Sequence, residues 1–280
     1  MGCQPPEAPI GVFDSGVGGL TVVRHILELL PHERIVYVAD QAHVPYGGRE
    51  LAEVRRFASG ISSALVRHGC KAVVMACNIS SAVALDEAST RHPESVVLGV
   101  ILPGACRAAR ATRNGRIGVL ATAGTVRSGA YSRALHRLDP KLVVAEVACP
   151  EFVPLVEAGE EGSEAAIRAA SEYLRPIREI EADTVILGCT HYPFLLPALQ
   201  SIWNSPTFID PSDQTSRELA EQLDTTSLQA RRSTGISARH LFTTTGDVSI
   251  FQSHLLRFLP DAVPNGDVIA ATWQGEHLTL

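Results

Sequence analysis

Two apolar stretches that each end in a cysteine decide the fold of this chain. Residues 72–77 read Ala-Val-Val-Met-Ala-Cys, and residues 184–189 read Thr-Val-Ile-Leu-Gly-Cys. Apolar runs of this length, bounded by turn residues and followed by helical patterns, indicate buried strands of a parallel sheet. Because ligands of such sheets bind beyond the carboxyl ends of the strands, we expect Cys77 and Cys189 to face one cleft as an acid and a base.

Outward from these two stretches, strand-like and helical patterns alternate along the chain. The predicted strands are Ile10–Phe13, Ile35–Val38, Ala72–Ala76, Val96–Val100, Ile117–Ala121, Leu142–Val147, Thr184–Gly188 and His240–Thr243. The predicted helices include Leu20–Leu30, Leu51–His68, Arg127–Leu138, Ala165–Ile180 and Asp213–Leu223. This alternation implies right-handed crossovers and mostly parallel sheets with helices on both faces, which is the α/β class.

A faint internal repeat predicts two similar lobes. The segments that begin at Ile10 and Ile117 are offset by 107 residues (117 − 10), and the two cysteines by 112 (189 − 77). We therefore predict two doubly wound lobes, related by a pseudo-twofold axis, with the active site between them. Residues 1–102 and 211–280 are assigned to the first lobe and 103–210 to the second. Thr225–Ala238 is predicted to be a surface loop or a poorly ordered excursion.

Composition excludes several classes of protein. A formal charge of −6 offers no basic surface for nucleic acid, and no apolar stretch approaches the ~20 residues that span a membrane. Six cysteines in 280 residues are too sparse for a secreted disulfide framework, which favours a reducing cytoplasm. The two lysines, Lys71 and Lys141, each precede a strand, so neither is expected to point into the site as the Schiff-base lysine of a pyridoxal phosphate enzyme does.

Residues 14–20, Asp-Ser-Gly-Val-Gly-Gly-Leu, form a glycine-rich turn between a strand and a helix. They do not match the dinucleotide fingerprint, whose last glycine falls at Thr21, but they suit a small zwitterionic ligand. Backbone N–H groups there bind a carboxylate while Asp14 binds an ammonium group. A simple turn with Asp14 as helix N-cap is an equal alternative. Asp40 and Tyr46 lie at the same sheet edge, where an ordinary turn is the favoured interpretation.

Polar neighbours surround both cysteines. Cys77 and Asn78 begin a helix, whose N-terminus is expected to lower the pKa of the thiol. His191 lies two residues after Cys189 and is expected to prepare that thiol for its acid/base role. Glu151 follows the sixth predicted strand and is a candidate orienting residue; its alternative role is a favourable interaction with the helix dipole.

Three other interpretations of the cysteines stay open at this stage. Cys77, Cys189 and His191 are candidate ligands of a catalytic zinc ion, although a fourth ligand and an activating glutamate are not evident. A redox disulfide between the two thiols lacks the Cys-x-x-Cys spacing. A non-catalytic, two-lobed protein that binds amino acids has no evident use for paired thiols.

Taken together, the motifs closely resemble those of the glutamate racemases, within the aspartate/glutamate racemase superfamily. The resemblance runs from about Ile10 to Asp247. The segments that carry it are Asp14–Gly16, Ala39–Asp40, Pro45–Gly47, Ala76–Asn78, Ala121–Thr122, Thr125–Val126, Cys149–Pro150, Phe152–Glu157 and Leu187–Pro193.

The resemblance implies a cytoplasmic isomerase that converts L-glutamate to D-glutamate for peptidoglycan, without cofactor or metal. It implies that Cys77 and Cys189 are the catalytic acid and base, assisted by Asp14, Glu151 and His191. Asp40 is a secondary acid near the site. The residues implied to bind substrate are Asp14, Ser15, Tyr46, Gly47, Asn78, Ile79, Thr125, Thr190 and His191. The alternatives within the superfamily are an aspartate racemase, another amino-acid racemase or a decarboxylase. Decarboxylases of this kind keep one thiol, so the presence of both favours racemisation. Whether the chain is a monomer or a homodimer stays open.

Ile79 departs from the pattern, because the family usually has Cys-Asn-Thr where this chain has Cys-Asn-Ile. The missing hydroxyl is a donor to a substrate carboxylate, and an unmade hydrogen bond of this kind costs about 1–3 kcal/mol. Only the backbone N–H of Ile79 is left to bind substrate there.

Overall fold

The computed structural model describes residues 4–230 and 239–280. The strands are β1 (Ile10–Asp14), β2 (Ile35–Ala39), β3 (Ala72–Met75), β4 (Val96–Gly99), β5 (Arg116–Ala121), β6 (Val143–Ala148), β7 (Thr184–Gly188), β8 (Thr207–Ile209), β9 (His240–Thr244), β10 (Gly266–Ala270), β11 (Thr272–Gln274) and β12 (His277–Thr279). The α-helices are α1 (Leu20–Leu29), α2 (Leu51–Arg67), α3 (Asn78–Arg91), α4 (Ile101–Ala111), α5 (Ala123–Ser128), α6 (Ala130–Leu138), α7 (Phe152–Glu157), α8 (Glu164–Glu179), α9 (Leu196–Ile202), α10 (Pro211–Thr225) and α11 (Val248–Phe258).

Two parallel sheets form the centre of the molecule. The first has the strand order β10-β9-β2-β1-β3-β4, and the second has the order β6-β5-β7-β8. Their neighbouring strands all pair in parallel, whereas β11 and β12 form a separate antiparallel hairpin at the carboxyl end. The predicted α/β class with two mostly parallel sheets is confirmed.

The strand order is the same in the two sheets. β2-β1-β3-β4 of the first corresponds to β6-β5-β7-β8 of the second. Cys77 follows β3 and Cys189 follows β7, so the two thiols occupy equivalent places in the two repeats. The weak sequence repeat thus has a structural counterpart.

The central strands are buried on both faces, as expected for parallel sheets covered by helices. In the first sheet Val12 and Val74 pack in one core cluster with residues of α1 and α10. Phe13 and Val73 point to the opposite face, into a cluster with residues of α2 and α3. Alternate residues of one strand therefore fill two cores, which explains the continuous apolar runs in the sequence.

Two glycines at equivalent positions let a helix approach each central strand. If Gly11 of β1 carried a Cβ atom, that atom would lie 3.0 Å from Leu65 of α2. A Cβ atom added at Gly118 of β5 would lie 2.3 Å from Ile177 of α8. The two positions keep the repeat offset of 107 residues (118 − 11). A side chain at either position therefore requires the facing Leu65 or Ile177 side chain to shift.

Several predicted elements need correction. Arg127–Leu138 is not one helix, because Gly129 adopts a left-handed conformation (φ 60°) that ends α5 before α6 begins. β8 and the three C-terminal strands were not predicted, and β8, β11 and β12 have only three residues each. The helices α4 and α11 were not predicted either. Thr225 ends α10, and Leu228 is buried rather than loose on the surface. Residues 231–238 of the predicted excursion lie outside the described residues.

The residues of each sheet agree with the proposed lobes, while the exact boundaries remain a prediction. The proposed cut between residues 102 and 103 falls inside α4, which is one continuous helix. The connection is therefore better placed at Val100, before α4 begins. Throughout 4–230 and 239–280, no helix has both the length and the apolar character needed to cross a membrane.

Candidate active site

One cavity of about 510 Å³ lies beyond the carboxyl ends of strands from both sheets. All the residues predicted to act in catalysis or to bind substrate line it except Glu151, and the secondary acid Asp40 does not line it either. The predicted residues that line it are Asp14, Ser15, Tyr46, Gly47, Cys77, Asn78, Ile79, Thr125, Cys189, Thr190 and His191. The volume suits a small molecule such as an amino acid.

The two predicted acid/base thiols face this cavity from different sheets. Cys77 is the N-cap of α3, and its Sγ lies 4.0 Å from Ser15 Oγ. Cys189 follows β7, and its Sγ lies 3.9 Å from His191 Nδ1. The side chains are only 6% and 8% exposed, so a molecule between them is shielded from water.

Burial controls the protonation of both thiols. It raises the pKa of Cys77 to about 12, and the negative charge of Asp14 adds to the effect. Burial also raises the pKa of Cys189 well above its ordinary value, with further contributions from Asp14 and from Cys77 itself. The prediction that the helix N-terminus lowers the pKa of Cys77 is wrong, because desolvation outweighs the dipole in this closed site.

Asp14 joins the two lobes at the floor of the cavity. Its Oδ2 accepts hydrogen bonds from the backbone N–H of Gly19, at 2.9 Å, and from Thr190 Oγ1, at 3.3 Å. The alternative in which Asp14 is the helix N-cap is wrong, because Asp14 ends β1 and Gly19 is the N-cap residue of α1. Within the described ranges Oδ1 accepts no hydrogen bond, so it is free to receive an ammonium group.

The amide of Asn78 is oriented by the second lobe. Tyr131 OH of α6 donates to Asn78 Oδ1 at 2.7 Å, which leaves the amide N–H groups as donors. Thr125, fully buried in α5, is held by Thr122 Oγ1 at 3.1 Å. These groups offer hydrogen-bond donors of the kind that bind carboxylates.

Ile79 lies in an apolar part of the cavity wall. It is 3% exposed and belongs to a cluster with Tyr46, Phe57 and Cys77. A Cβ atom on Gly124, from the second lobe, meets Ile79 at 3.3 Å. The apolar side chain of Ile79 therefore occupies the position where a threonine would place a methyl and a hydroxyl group.

The carboxylate beside His191 belongs to Glu157, not to Glu151. Glu157 lines the cavity with its Oε1 3.3 Å from His191 Nε2, and this contact lowers the pKa of Glu157. Glu151 lies outside the cavity and accepts a hydrogen bond from Tyr173 OH at 2.7 Å. The assignment of Glu151 is corrected because this residue precedes α7, whereas Glu157 lies on the same helix face as Val153, which also lines the cavity.

A third thiol in the cavity wall was not predicted. Cys149 follows β6 and is 1% exposed, and its Sγ lies 3.4 Å from Val147 O. Burial raises its pKa strongly, so this thiol stays protonated. The available sequence signal was the Cys149-Pro150 segment, which carries part of the family resemblance.

Other chemistries find little support in the arrangement of the side chains. Across the described part of the chain, no group of three or more His, Cys, Asp or Glu residues is placed to hold a metal ion. Lys71 is buried just before β3, with its Nζ 2.6 Å from Glu33 Oε2, and Lys141 is exposed. Neither lysine lines the cavity.

Comparisons with known proteins agree with the sequence motifs. The family model for Asp/Glu/hydantoin racemases matches residues 10–218. The glutamate racemase of Corynebacterium glutamicum is 41% identical over 271 residues, which is 96% of each chain. The crystal structure of glutamate racemase isoform RacE1 from Bacillus anthracis has a TM-score of 0.88 at 36% identity and covers 95% of this chain and 98% of its own. Glutamate racemase from Francisella tularensis, solved in complex with D-glutamate, has a TM-score of 0.87 at 32% identity and covers 94% and 98%.

Proposed function

Because the chain belongs to the Asp/Glu/hydantoin racemase family, we propose that it interconverts L- and D-glutamate with two thiols and no cofactor. The observation that carries the proposal is the pair Cys77 and Cys189, which follow equivalent strands of the two sheets and line one cavity. The relatives that match nearly the whole chain are glutamate racemases, and one of them was solved with D-glutamate bound.

The reaction moves one proton off and another onto the α-carbon. One thiolate takes the α-proton, so the Cα–H bond breaks and an S–H bond forms. The other thiol then delivers its proton to the opposite face of the carbanion and becomes the thiolate. The product is the mirror image of the substrate, and the enzyme is left with its two protonation states exchanged.

The raised thiol pKa values require help from the bound substrate. A thiolate is scarce in the empty cavity near neutral pH, because burial disfavours its charge. The ammonium group of glutamate, held by Asp14, supplies a positive charge near both sulfurs. Desolvation then makes the thiolate a stronger base towards the α-proton than it is in water.

Donors around the cavity stabilise the charge that develops on the substrate carboxylate. We assign this role to the amide of Asn78, the hydroxyl of Thr125 and the backbone N–H of Ile79. His191 contacts Cys189 on one side and Glu157 on the other, so it orients that thiol. Ser15 has the corresponding position beside Cys77.

The biological role follows from the product. D-Glutamate is a component of bacterial peptidoglycan, and we propose that the protein supplies it in the cytoplasm. The free cysteines Cys77, Cys149 and Cys189 fit a reducing compartment.

Circular dichroism of amino acids incubated with the purified protein tests the proposal. L-Glutamate is expected to lose its optical signal without added cofactor and in the presence of EDTA, while L-aspartate keeps its signal. Faster loss with L-aspartate assigns the protein to the other racemase of the superfamily. Binding of glutamate without turnover contradicts the proposed reaction, and strong inhibition by EDTA restores the zinc alternative.

A further inference from the structure

One buried carboxylate makes hydrogen bonds to a segment that lines the cavity. Residues 41–48, here named the mouth loop, follow β2, and the residues from Val44 to Gly48 line the cavity. The loop also reaches the second lobe, because a Cβ atom on Gly47 meets Thr122 at 2.9 Å. Its conformation therefore shapes the space that receives the substrate.

Asp40, immediately before the mouth loop, is fully buried and accepts hydrogen bonds from four side chains. Two donors belong to the loop: His43 Nδ1, at 2.9 Å from Oδ2, and Tyr46 OH on the same oxygen. The other two come from distant parts of the chain and reach Oδ1, namely Thr245 Oγ1 and Trp273 Nε1, each at 2.8 Å. A buried carboxylate with this many donors is a rigid junction, since each donor restricts its rotation.

Trp273 brings the C-terminal hairpin into this junction. It lies in β11, and a Cβ atom on Gly60 of α2 meets its ring at 2.9 Å, so the indole has little freedom to shift. The His43 ring stacks on Phe57 at 3.9 Å between centroids, and Trp273 meets His43 edge-on at 5.5 Å. The hairpin thus fixes both the carboxylate and the aromatic stack beside the mouth loop.

Tyr46 connects Asp40 to the cavity, because it bonds to that carboxylate and also lines the cavity. It is 2% exposed, lines the cavity, and belongs to the same apolar cluster as Cys77. Burial and the charge of Asp40 raise the pKa of Tyr46 well above its ordinary value, so the phenol keeps the proton that it donates to Asp40. A small rotation of the Asp40 carboxylate therefore displaces a ring in the cavity wall.

We infer that Trp273 and Asp40 are positioning residues for substrate binding: the C-terminal hairpin holds Asp40, and Asp40 holds Tyr46 and the mouth loop in the conformation that binds the amino acid. The inference rests on the proposed racemisation for its assay. It assigns to the carboxyl end of the chain, outside the matched residues 10–218, a part in shaping the active site.

Trp273→Phe tests the inference, since it removes the N–H donor and keeps a ring. The KM for glutamate is expected to rise about tenfold while kcat stays within about twofold, because the lost bond acts on binding rather than on proton transfer. Trp203→Phe is the matched control: the ring of Trp203 contacts Arg178 and does not line the cavity. This control is expected to leave both constants unchanged.

Two further variants separate positioning from simple loss of stability. Thr245→Val removes another donor to the same oxygen, and with it the acceptor of the Ala42 N–H in the mouth loop, without touching the hairpin. We expect it to raise KM in the same direction. In a Tyr46→Phe background, Trp273→Phe is expected to raise KM no further, because both changes break one chain of contacts. Additive effects, or a loss of kcat that follows the melting temperature with KM unchanged, overturn the inference.

Tryptophan fluorescence provides a second test, which measures ligand binding and does not depend on turnover kinetics. The chain has two tryptophans, so Trp203→Phe leaves Trp273 as the sole one. Its emission is expected to change saturably with D-glutamate, at a midpoint near the KM. If the wild-type protein turns over glutamate and Trp273→Phe has the same KM and kcat, the positioning role is refuted while the proposed function stands. Wild-type protein without glutamate turnover refutes the proposed function, and the same comparison then uses the amino acid that it does racemise.

Discussion

At the scale of single residues, Cys77 and Cys189 have different neighbours although they occupy equivalent positions. Cys77 lies by Ser15, whereas Cys189 lies by His191 and, through it, Glu157. Two thiols in mirror-related roles are expected to act on opposite faces of the α-carbon. Each should therefore serve as the base for one enantiomer only.

Cys77→Ser and Cys189→Ser test this division. The enantiomers have equal free energies, so kcat/KM for racemisation must fall equally in both directions and is not informative. Exchange of the α-proton in deuterium oxide is informative, because it needs only one base. Each variant is expected to lose exchange of one enantiomer by at least ~100-fold more than of the other, the size of a general-base contribution. Equal loss for both enantiomers contradicts the two-base assignment.

The pH dependence of activity follows from the raised thiol pKa values. A thiol is neutral below its pKa, and burial raises that of Cys77 to about 12, so the thiolate fraction increases with pH over the usual assay range. We expect kcat/KM to rise with pH above neutrality, up to the ionisation of the substrate ammonium. A plateau that begins below pH ~7, as a thiol at an unhindered helix N-terminus would give, contradicts the role of burial.

Ile79 provides a third test at this scale. Ile79→Thr restores the hydroxyl that the family usually has, and we expect a two- to tenfold higher kcat/KM for glutamate, the value of about one net hydrogen bond. Ile79→Val is the matched control, because valine has nearly the shape of threonine without the donor. Steady-state kinetics should show no gain for valine. An unchanged or lower value for threonine, or an equal gain for both, counts against the missing hydroxyl.

At the scale of elements, the success of prediction depended on burial. β3 and β7 were found nearly to the residue, because strands buried on both faces read as unbroken apolar runs. β10 was missed because most of its residues are partly or fully exposed, and so were the short β11 and β12. The hairpin that carries Trp273 therefore had no signal in the sequence.

Site residues followed the same logic. Those directly after a strand, such as Asp14 and Cys189, could be placed because the carboxyl ends of parallel strands converge. The choice between Glu151 and Glu157 depends on the face of α7 that meets the cavity, which a helix of about two turns does not reveal. Likewise, the pKa of Cys77 depends on how completely the lobes enclose it, and no local pattern encodes that.

Gly118 tests the packing of a helix on a strand. Gly118→Ala places a Cβ atom 2.3 Å from the Ile177 side chain of α8, so either this side chain or the helix that carries it must shift. We expect the free energy of unfolding to fall by about 1–3 kcal/mol, as for other overpacked cores. Urea denaturation measures the change. Gly162→Ala is the control, since its Cβ meets nothing within 4 Å, and equal stability of the two variants contradicts the close approach.

At the scale of the whole molecule, polar contacts tie the two lobes together on several sides of the cavity. Asn78 of α3 meets Tyr131 of α6, and Arg127 of α5 donates to the backbone carbonyl oxygen of Arg49 at 2.8 Å beside the mouth loop. On another side, Arg257 of α11 donates to Val156 O at 3.1 Å. Cys77 and Cys189 are only 6% and 8% exposed, so these contacts border a site with little access to solvent. We therefore expect substrate entry to involve movement of the lobes or of the mouth loop.

Thermal unfolding tests whether the lobes act as one unit. Since α11 and the cavity contacts join them, we expect a single calorimetric transition rather than two. D-Glutamate touches both lobes in the proposed complex, so at a hundredfold excess over its Kd it should stabilise the protein by about 2.7 kcal/mol and raise the whole transition by roughly 5–8 °C. D-Lysine at the same concentration is the control and should have no effect. Two transitions, of which the ligand moves only one, would place the binding site within a single lobe and contradict a site built from both sheets.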